Sequence, residues 1–414
     1  MSDLLTHAEY KAIAADLDFP RTAFIDGKYR AGSGEVFATV SPATGEPLAE
    51  ISGCNTTDVD FAVGKAREAF DQGHWSKMHP SDRKDVLIKL CKLMTRNRRE
   101  LAVMESLDSG KTITDCTVEI GGEVADFFQW YGELADKSFG KVAPTGEDAL
   151  ALVVKEPAGV VGLVLPWNFP LLMAAWKLAP ALAAGCSCIV KPAEQTPLTA
   201  LRLAQLAQEA GVPDGVLNVL PGLGETTGQA IGRHRDIDII SFTGSTEVGG
   251  YFLRYAGESN LKGVGLEMGG KSPFIVLEDA ALTDDLIEHA AMSAFWNGGQ
   301  NCTANMRQLI AAPLVEEFTG RILERVKAFK LGDPLDPETT IGSMITKDHK
   351  DLVMSYIKSG VVDGAKLVTG GDSGLPGYFI EPAVFQGVRS DMKIAREEIF
   401  GPVLGIMPTQ SAEE

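Results

Sequence analysis

Cysteines stand at positions 54, 91, 116, 186, 188 and 302, and Cys302 has the surroundings that suit covalent chemistry. It lies in GGQNCTAN (298–305), a loop of small residues after a helical stretch. A reactive thiolate needs access and some dipolar or positive stabilisation. The other five lie in apolar or helical stretches, and Cys186 and Cys188 alternate on an apparent buried strand, where packing explains them. None forms a CxxC pair, which argues against zinc and dithiol redox chemistry, and free thiols fit a reducing cytoplasm.

Glu267, in LEMGGKSP (266–273), is the next candidate. A glutamate between Leu266 and Met268, ahead of two glycines and a strand, is oddly placed for the surface. Desolvation would raise its pKa towards the range useful to a general base. A boundary glutamate held by a salt bridge fits the same pattern. The run FTGSTEVGG (242–250) follows a buried strand and opens a helix, so it offers either an anion site at a helix N-terminus or an ordinary tight turn. GLGETTG (222–228) is a weaker glycine loop of the same kind. In KPAE (191–194), an acid at the end of a strand can accept hydrogen bonds from ribose hydroxyls and repel a 2′-phosphate, which favours NAD over NADP. A solvated loop glutamate explains Glu194 equally well.

These residues need a scaffold, and the hydrophobic pattern supplies one. From Leu150 to Phe242 apolar strands alternate with helices: strand 160–165, helix 170–184, strand 188–191, helix 197–210, strands 216–220 and 237–242. Such alternation predicts a parallel sheet covered on both faces, with its ligand beyond the strand C-termini. The first strand-to-helix turn reads LPWNFP, without the GxGxxG glycines. Upstream, Val86, Leu87, Leu90, Leu93 and Met94 share one helical face, with Ser81 as the expected N-cap, and a helix is expected over 118–136. After Leu266 a second α/β unit begins with a strand at 272–277 and a helix at 283–295. The expected division is 1–262 for dinucleotide binding and 263–414 for catalysis, with a β-hairpin near 140–158.

The 414 residues suffice for two or three domains, and 45% hydrophobic with 23% charged residues is an ordinary globular composition. A formal charge of -18 disfavours nucleic acid and anionic membranes as partners. The N-terminus lacks signal-peptide order, and no apolar run approaches the ~20 residues needed to cross a bilayer.

Taken together, PWNFP (166–170), KPAEQTP (191–197), FTGSTEVG (242–249), LEMGGKSP (266–273), GQNCTA (299–304) and EEIFGPV (397–403) resemble the aldehyde dehydrogenase superfamily, in order and separation. The resemblance implies an α/β fold with a Rossmann-type, doubly wound cofactor domain and a second α/β catalytic domain. It implies a cytoplasmic, NAD-dependent enzyme that oxidises an aldehyde to the acid, forms a homodimer or homotetramer and uses no metal. By position it makes Cys302 the nucleophile, Glu267 the general base and Asn168 the oxyanion donor, helped by the Cys302 main-chain N–H. Cofactor contacts fall to Leu165, Pro166, Trp167, Lys191, Glu194, Gly224, Gly244, Ser245, Thr246, Val248, Glu398 and Phe400. Phe169, Met173, Trp176, Phe295, Asn301 and Thr303 match the aldehyde tunnel, although core packing explains Met173 and Trp176 as well.

The family continues beyond Met407, so the catalytic domain is expected to be incomplete, the hairpin to lack its strand partner and the activity to be impaired. Two other readings compete. A CoA-acylating relative would lack the glutamate that Glu267 supplies, and a silent NAD-binding scaffold would lose the thiol that Cys302 supplies. GGQNCTAN and YGELADK look somewhat like oxidisers of aminoaldehydes and betaine aldehyde.

Overall fold

The computed structural model describes residues 4–414. Among these, a seven-stranded sheet runs in the order Gly263–Met268, Ile239–Gly244, Val160–Val164, Ser187–Lys191, Leu217–Val219, Ala23–Ile25 and Lys28–Arg30. The first five strands are parallel. In chain order they read 5-4-1-2-3, so the winding reverses between Val160–Val164 and Ile239–Gly244. Reversal opens a crevice at the strand C-termini, because the connections leave to opposite faces there. Ala23–Ile25 joins antiparallel through Phe24 and Val219, and closes a hairpin with the edge strand Lys28–Arg30. Asp26 and Gly27, at φ +53° and +72°, make its two-residue turn.

Val160–Val164 and Ser187–Lys191 are buried throughout, as strands covered on both faces must be. The helix Pro170–Ala184 follows the first strand, with Pro170 in its first turn and Gly185 left-handed at its end. It buries Leu171, Leu172, Leu178 and Leu182 in the main core. Each such side chain contributes about 1.5–3 kcal/mol relative to exposure.

The second sheet runs Pro273–Val276, Arg307–Ala311, Val403–Thr409, Ile380–Gln386 and Lys366–Asp372. Its first four strands are parallel and the last is antiparallel. It has separate apolar clusters, one around Phe295, Phe318 and Ile406, the other around Ile357, Phe385 and Ile394. A two-stranded hairpin, Lys141–Ala143 with Ala151–Val153, stands apart.

Three differences from the sequence reading have local causes. The helix expected to start behind Ser81 spans Pro80–Arg96, capped by His79, because proline occupies its first turn. The helix expected at 118–136 passes through a π-helical turn at Ile120–Val124, where Gly121 and Gly122 leave the backbone unconstrained by side chains. Gly263–Met268 hydrogen-bonds to Ile239–Gly244, so the first sheet runs past residue 262.

Candidate functional site

The crevice floor is built from the two turns at the winding reversal. One is Leu165–Phe169, which leaves Val160–Val164; Leu165 N–H extends the ladder by donating to the Lys191 carbonyl at 3.0 Å. The other is Gly244–Ser245. Ser245 caps the helix Thr246–Glu258, its Oγ accepting from Val248 N–H at 3.3 Å. Thr246 and Val248 therefore sit in the first turn, where peptide dipoles favour an anion. Lys191 ends its strand with Nζ buried, donating to the Pro192 carbonyl at 2.9 Å and to Glu194 at 3.2 Å. Burial pushes its pKa down against the pull of Glu194. Gly224 opens the π-helical turn 224–228, and open space faces its Cα.

The thiol loop is shaped by backbone strain. After the helix Asp284–Phe295, Asn297, Gly298 and Gly299 have φ of +52°, +62° and +71°. A Cβ at Gly299 would lie 2.5 Å from the Gly401 carbonyl, so both conformation and space demand glycine. Gln300 pins the turn to the next segment, accepting from Ile345 N–H at 3.0 Å and donating to the Ser343 carbonyl at 3.2 Å. Asn297 donates to the Asn168 carbonyl at 3.0 Å, and Asn168 Nδ2 donates to the Gln300 carbonyl at 3.0 Å. The two loops are thereby stitched together, and the Asn168 amide keeps a second N–H beyond that bond.

Cys302 is exposed, while Cys54, Cys116, Cys186 and Cys188 are buried and Cys91 is half-buried. Partial burial pushes its thiol pKa up, and the carboxylates of Glu398 and Glu267 push it further. The main-chain N–H groups of Cys302 and Thr303 oppose them. Cys302 and both predicted glutamates are thus one electrostatic neighbourhood.

Glu267 pairs with Thr243 near the end of its strand. It is exposed rather than desolvated as expected, since Gly265, Gly269 and Gly270 around it have no side chains to cover it. Sequence reasoning missed its neighbour Lys177, which is buried and donates to Ser241 Oγ at 2.8 Å. Burial pushes Lys177 down to about 8, with Glu267 opposing. A lysine amid the apolar run of helix 170–184 was the available signal. Glu398 accepts from Gly270 N–H at 3.1 Å. A Cβ at Gly269 would meet its carboxylate at 2.0 Å. Burial raises the Glu398 carboxyl, against the Gly270 N–H and the ammonium of Lys271. Phe400 packs edge-on to Trp167 at 5.2 Å, and its carbonyl accepts from His349 Nε2 at 2.7 Å.

On the remaining side, Phe169 is buried against Trp296 at 5.1 Å, Met173 is half-buried, and half-exposed Trp176 stacks on Phe127 at 5.7 Å. Asn301 Oδ1 accepts from Thr303 N–H and Oγ1 at 3.1 and 3.0 Å. Phe295 does not join them. It is sealed in the second core against Phe329 at 5.8 Å. Its neighbour Trp296 packs on Phe169 instead, because the helix ends at Phe295 and the chain turns there.

Known proteins resemble the chain over nearly its whole length. The family described as "Aldehyde dehydrogenase family" matches residues 29–414. An aminoacetaldehyde dehydrogenase of Pseudomonas aeruginosa is 48% identical over 415 residues, covering 100% of this chain and 84% of its own length. Human retinal dehydrogenase 2 is 47% identical over 395 residues, covering 94% of this chain and 76% of its own. The solved indole-3-acetaldehyde dehydrogenase of P. syringae, in complex with NAD+ and IAA, superposes with a TM-score of 0.96 at 45% identity, covering 99% of this chain and 83% of that one.

Proposed function

The chain belongs to the aldehyde dehydrogenase family, and from that premise we propose how its residues oxidise an aldehyde. The enzyme converts aldehyde to carboxylic acid with NAD. Cys302 attacks the carbonyl carbon and forms a thiohemiacetal. Asn168 and the Cys302 main-chain N–H hold the oxyanion; losing one such donor costs ~2.7–4 kcal/mol. NAD, when bound, supplies the hydride acceptor that turns the thiohemiacetal into a thioester. Glu267 takes a proton from water, and the resulting hydroxide releases the acid. The observation that carries this reading is the exposed thiol of Cys302 in a loop tied to the Asn168 turn by two 3.0 Å hydrogen bonds, with the Glu267 and Glu398 carboxylates beside it.

The residues fit a dinucleotide. The capped helix start at Ser245–Val248 suits a pyrophosphate, and the Lys191–Glu194 pair at a strand end suits ribose hydroxyls. Leu165, Pro166, Trp167, Gly224 and Gly244 complete that side; Glu398 and Phe400 serve the nicotinamide ribose end. Phe169, Met173, Trp176, Asn301 and Thr303 line the aldehyde path, with Trp296 in the place expected of Phe295. The domains divide between Met268 and Pro273, where one sheet ends and the other begins.

We favour an aminoaldehyde substrate. The relative named above as an aminoacetaldehyde dehydrogenase and the charge of -18, which attracts cations, both support it. A cytoplasmic location agrees with the free thiols, and no helix among the described residues is long and apolar enough to cross a membrane. A homo-oligomer built on the 140–158 hairpin agrees with its exposed apolar side chains.

NADH formation across an aldehyde panel tests the reading. Cys302→Ala should give no signal. Glu267→Gln should give about one fast equivalent of NADH and then very slow turnover, because acylation survives and hydrolysis does not. Steady turnover by Glu267→Gln at the parent rate would remove that residue from its role.

A further inference from the structure

We infer that Glu105, Lys111 and Glu119 form a buried positioning device for the oxyanion side of the site, an inference that rests on the roles given above to Asn168 and Cys302. All three side chains are sealed from solvent. Lys111 Nζ lies 2.7 Å from Glu119 Oε2 and 3.8 Å from Glu105 Oε1. The network reaches both loops of the site.

Towards Asn168 it works through a helix start. The helix Pro170–Ala184 has no capping side chain of its own, since Phe169 occupies the N-cap. Glu105, from the helix Arg98–Ser109, caps it from outside: its Oε2 accepts from Leu171 N–H at 3.0 Å and from Thr199 Oγ1 at 3.4 Å. A carboxylate there meets the positive end of the helix dipole. It fixes the backbone three residues beyond Asn168. Lys111 Nζ also sits 3.9 Å from the centre of the Phe169 ring, a desolvated cation–π contact.

Towards Cys302 it works through that ring. Phe169 packs on Trp296 at 5.1 Å, and Trp296 lies beside Asp115, on the same short helix as Glu119. Trp296 begins the strained turn that leads to Cys302. One packed column thus runs from the buried charges to both halves of the oxyanion site.

Stability alone explains this arrangement poorly. Buried ion networks are often no more stable than an apolar replacement. One oxygen each of Glu105 and Glu119 has no hydrogen-bond partner. Burial raises both carboxyls, Glu119 to about 7, against the pull of the Lys111 ammonium.

Two reactions at one sulfur separate positioning from folding. p-Nitrophenyl acetate acylates the thiolate: the C–S bond forms, the ester C–O bond breaks and p-nitrophenolate leaves, through an oxyanion. Iodoacetamide alkylates by displacement of iodide, without an oxyanion. Both are measured on the full chain without NAD, and peptide mass locates the label. Glu105→Gln keeps the acceptor for Leu171 N–H and removes the charge. The pair Lys111→Met with Glu119→Gln removes opposite charges together. For both we expect acylation to slow by about tenfold or more with alkylation within about twofold of the parent, since a small misplacement of a donor is costly. Lys111→Arg should restore much of the acylation rate. Should the paired variant fail to fold, Glu105→Gln carries the test. Equal slowing of both reactions, or of neither, overturns the positioning role. A parent chain labelled elsewhere than Cys302 overturns the nucleophile assignment and this inference with it.

Discussion

Cys302 is accessible, yet its neighbours oppose its ionisation. Burial and two carboxylates raise the thiol above its ordinary value, so the thiol predominates at neutral pH and the thiolate grows as pH rises. The rate of iodoacetamide labelling should therefore climb with pH and still be rising above the ordinary thiol range. Removing a negative neighbour lowers the thiol pKa. Glu267→Gln and Glu398→Gln should each speed labelling at pH 8 by about two- to fivefold. A slower rate in both would show that the carboxylates do not act on the sulfur through charge. In the proposed mechanism Asn168 acts on the bound carbonyl rather than on the sulfur. Asn168→Ala should lower kcat by ~10²-fold while the KM for NAD stays near the parent value. A change in KM alone would place Asn168 outside the oxyanion site.

At the scale of elements, the helix Thr246–Glu258 gives the cleanest test of the dinucleotide side. Ser245 is its cap, so Ser245→Ala should cost about 1 kcal/mol of stability and raise the KM for NAD more than it lowers kcat. Thermal melts with and without NAD check both, and unaltered NAD affinity would detach this helix start from the cofactor. What the sequence made legible follows the same elements. Pro170 and Gly185 bracket one helix, and the apolar runs at 160–164 and 187–191 admit only strands covered on both faces. Other features were illegible for physical reasons. GVGLEM (263–268) carries two glycines and mixed exposure, so its pairing with Ile239–Gly244 shows in the ladder, not in its composition. Phe295 and Trp296 are adjacent rings at a helix end, where helical period no longer says which of them faces the site. Glu105 in a helical run and Lys111 in the loop after Gly110 look like surface charges; only tertiary packing buries them.

At the scale of the whole molecule, the hairpin Lys141–Ala143 with Ala151–Val153 stands out for what it leaves uncovered. Val142, Leu152 and Val154 are each more than half exposed. Among the described residues its two strands pair only with each other. Apolar side chains on unpaired strand edges invite association, and a charge of -18 discourages the non-specific kind. Burial against a second copy of the chain, as proposed above, would reconcile the two, because symmetric contact is the common route to a closed assembly. Val142 and Leu152 lie opposite each other in the hairpin register, so charging both strikes one patch. Val142→Lys with Leu152→Lys should lower the sedimentation coefficient to that of a single chain. Labelling of Cys302 by iodoacetamide should continue in that variant, since the thiol loop belongs to the second sheet's side of the molecule. A parent that already sediments as one chain at micromolar concentration would show that this hairpin serves some other end.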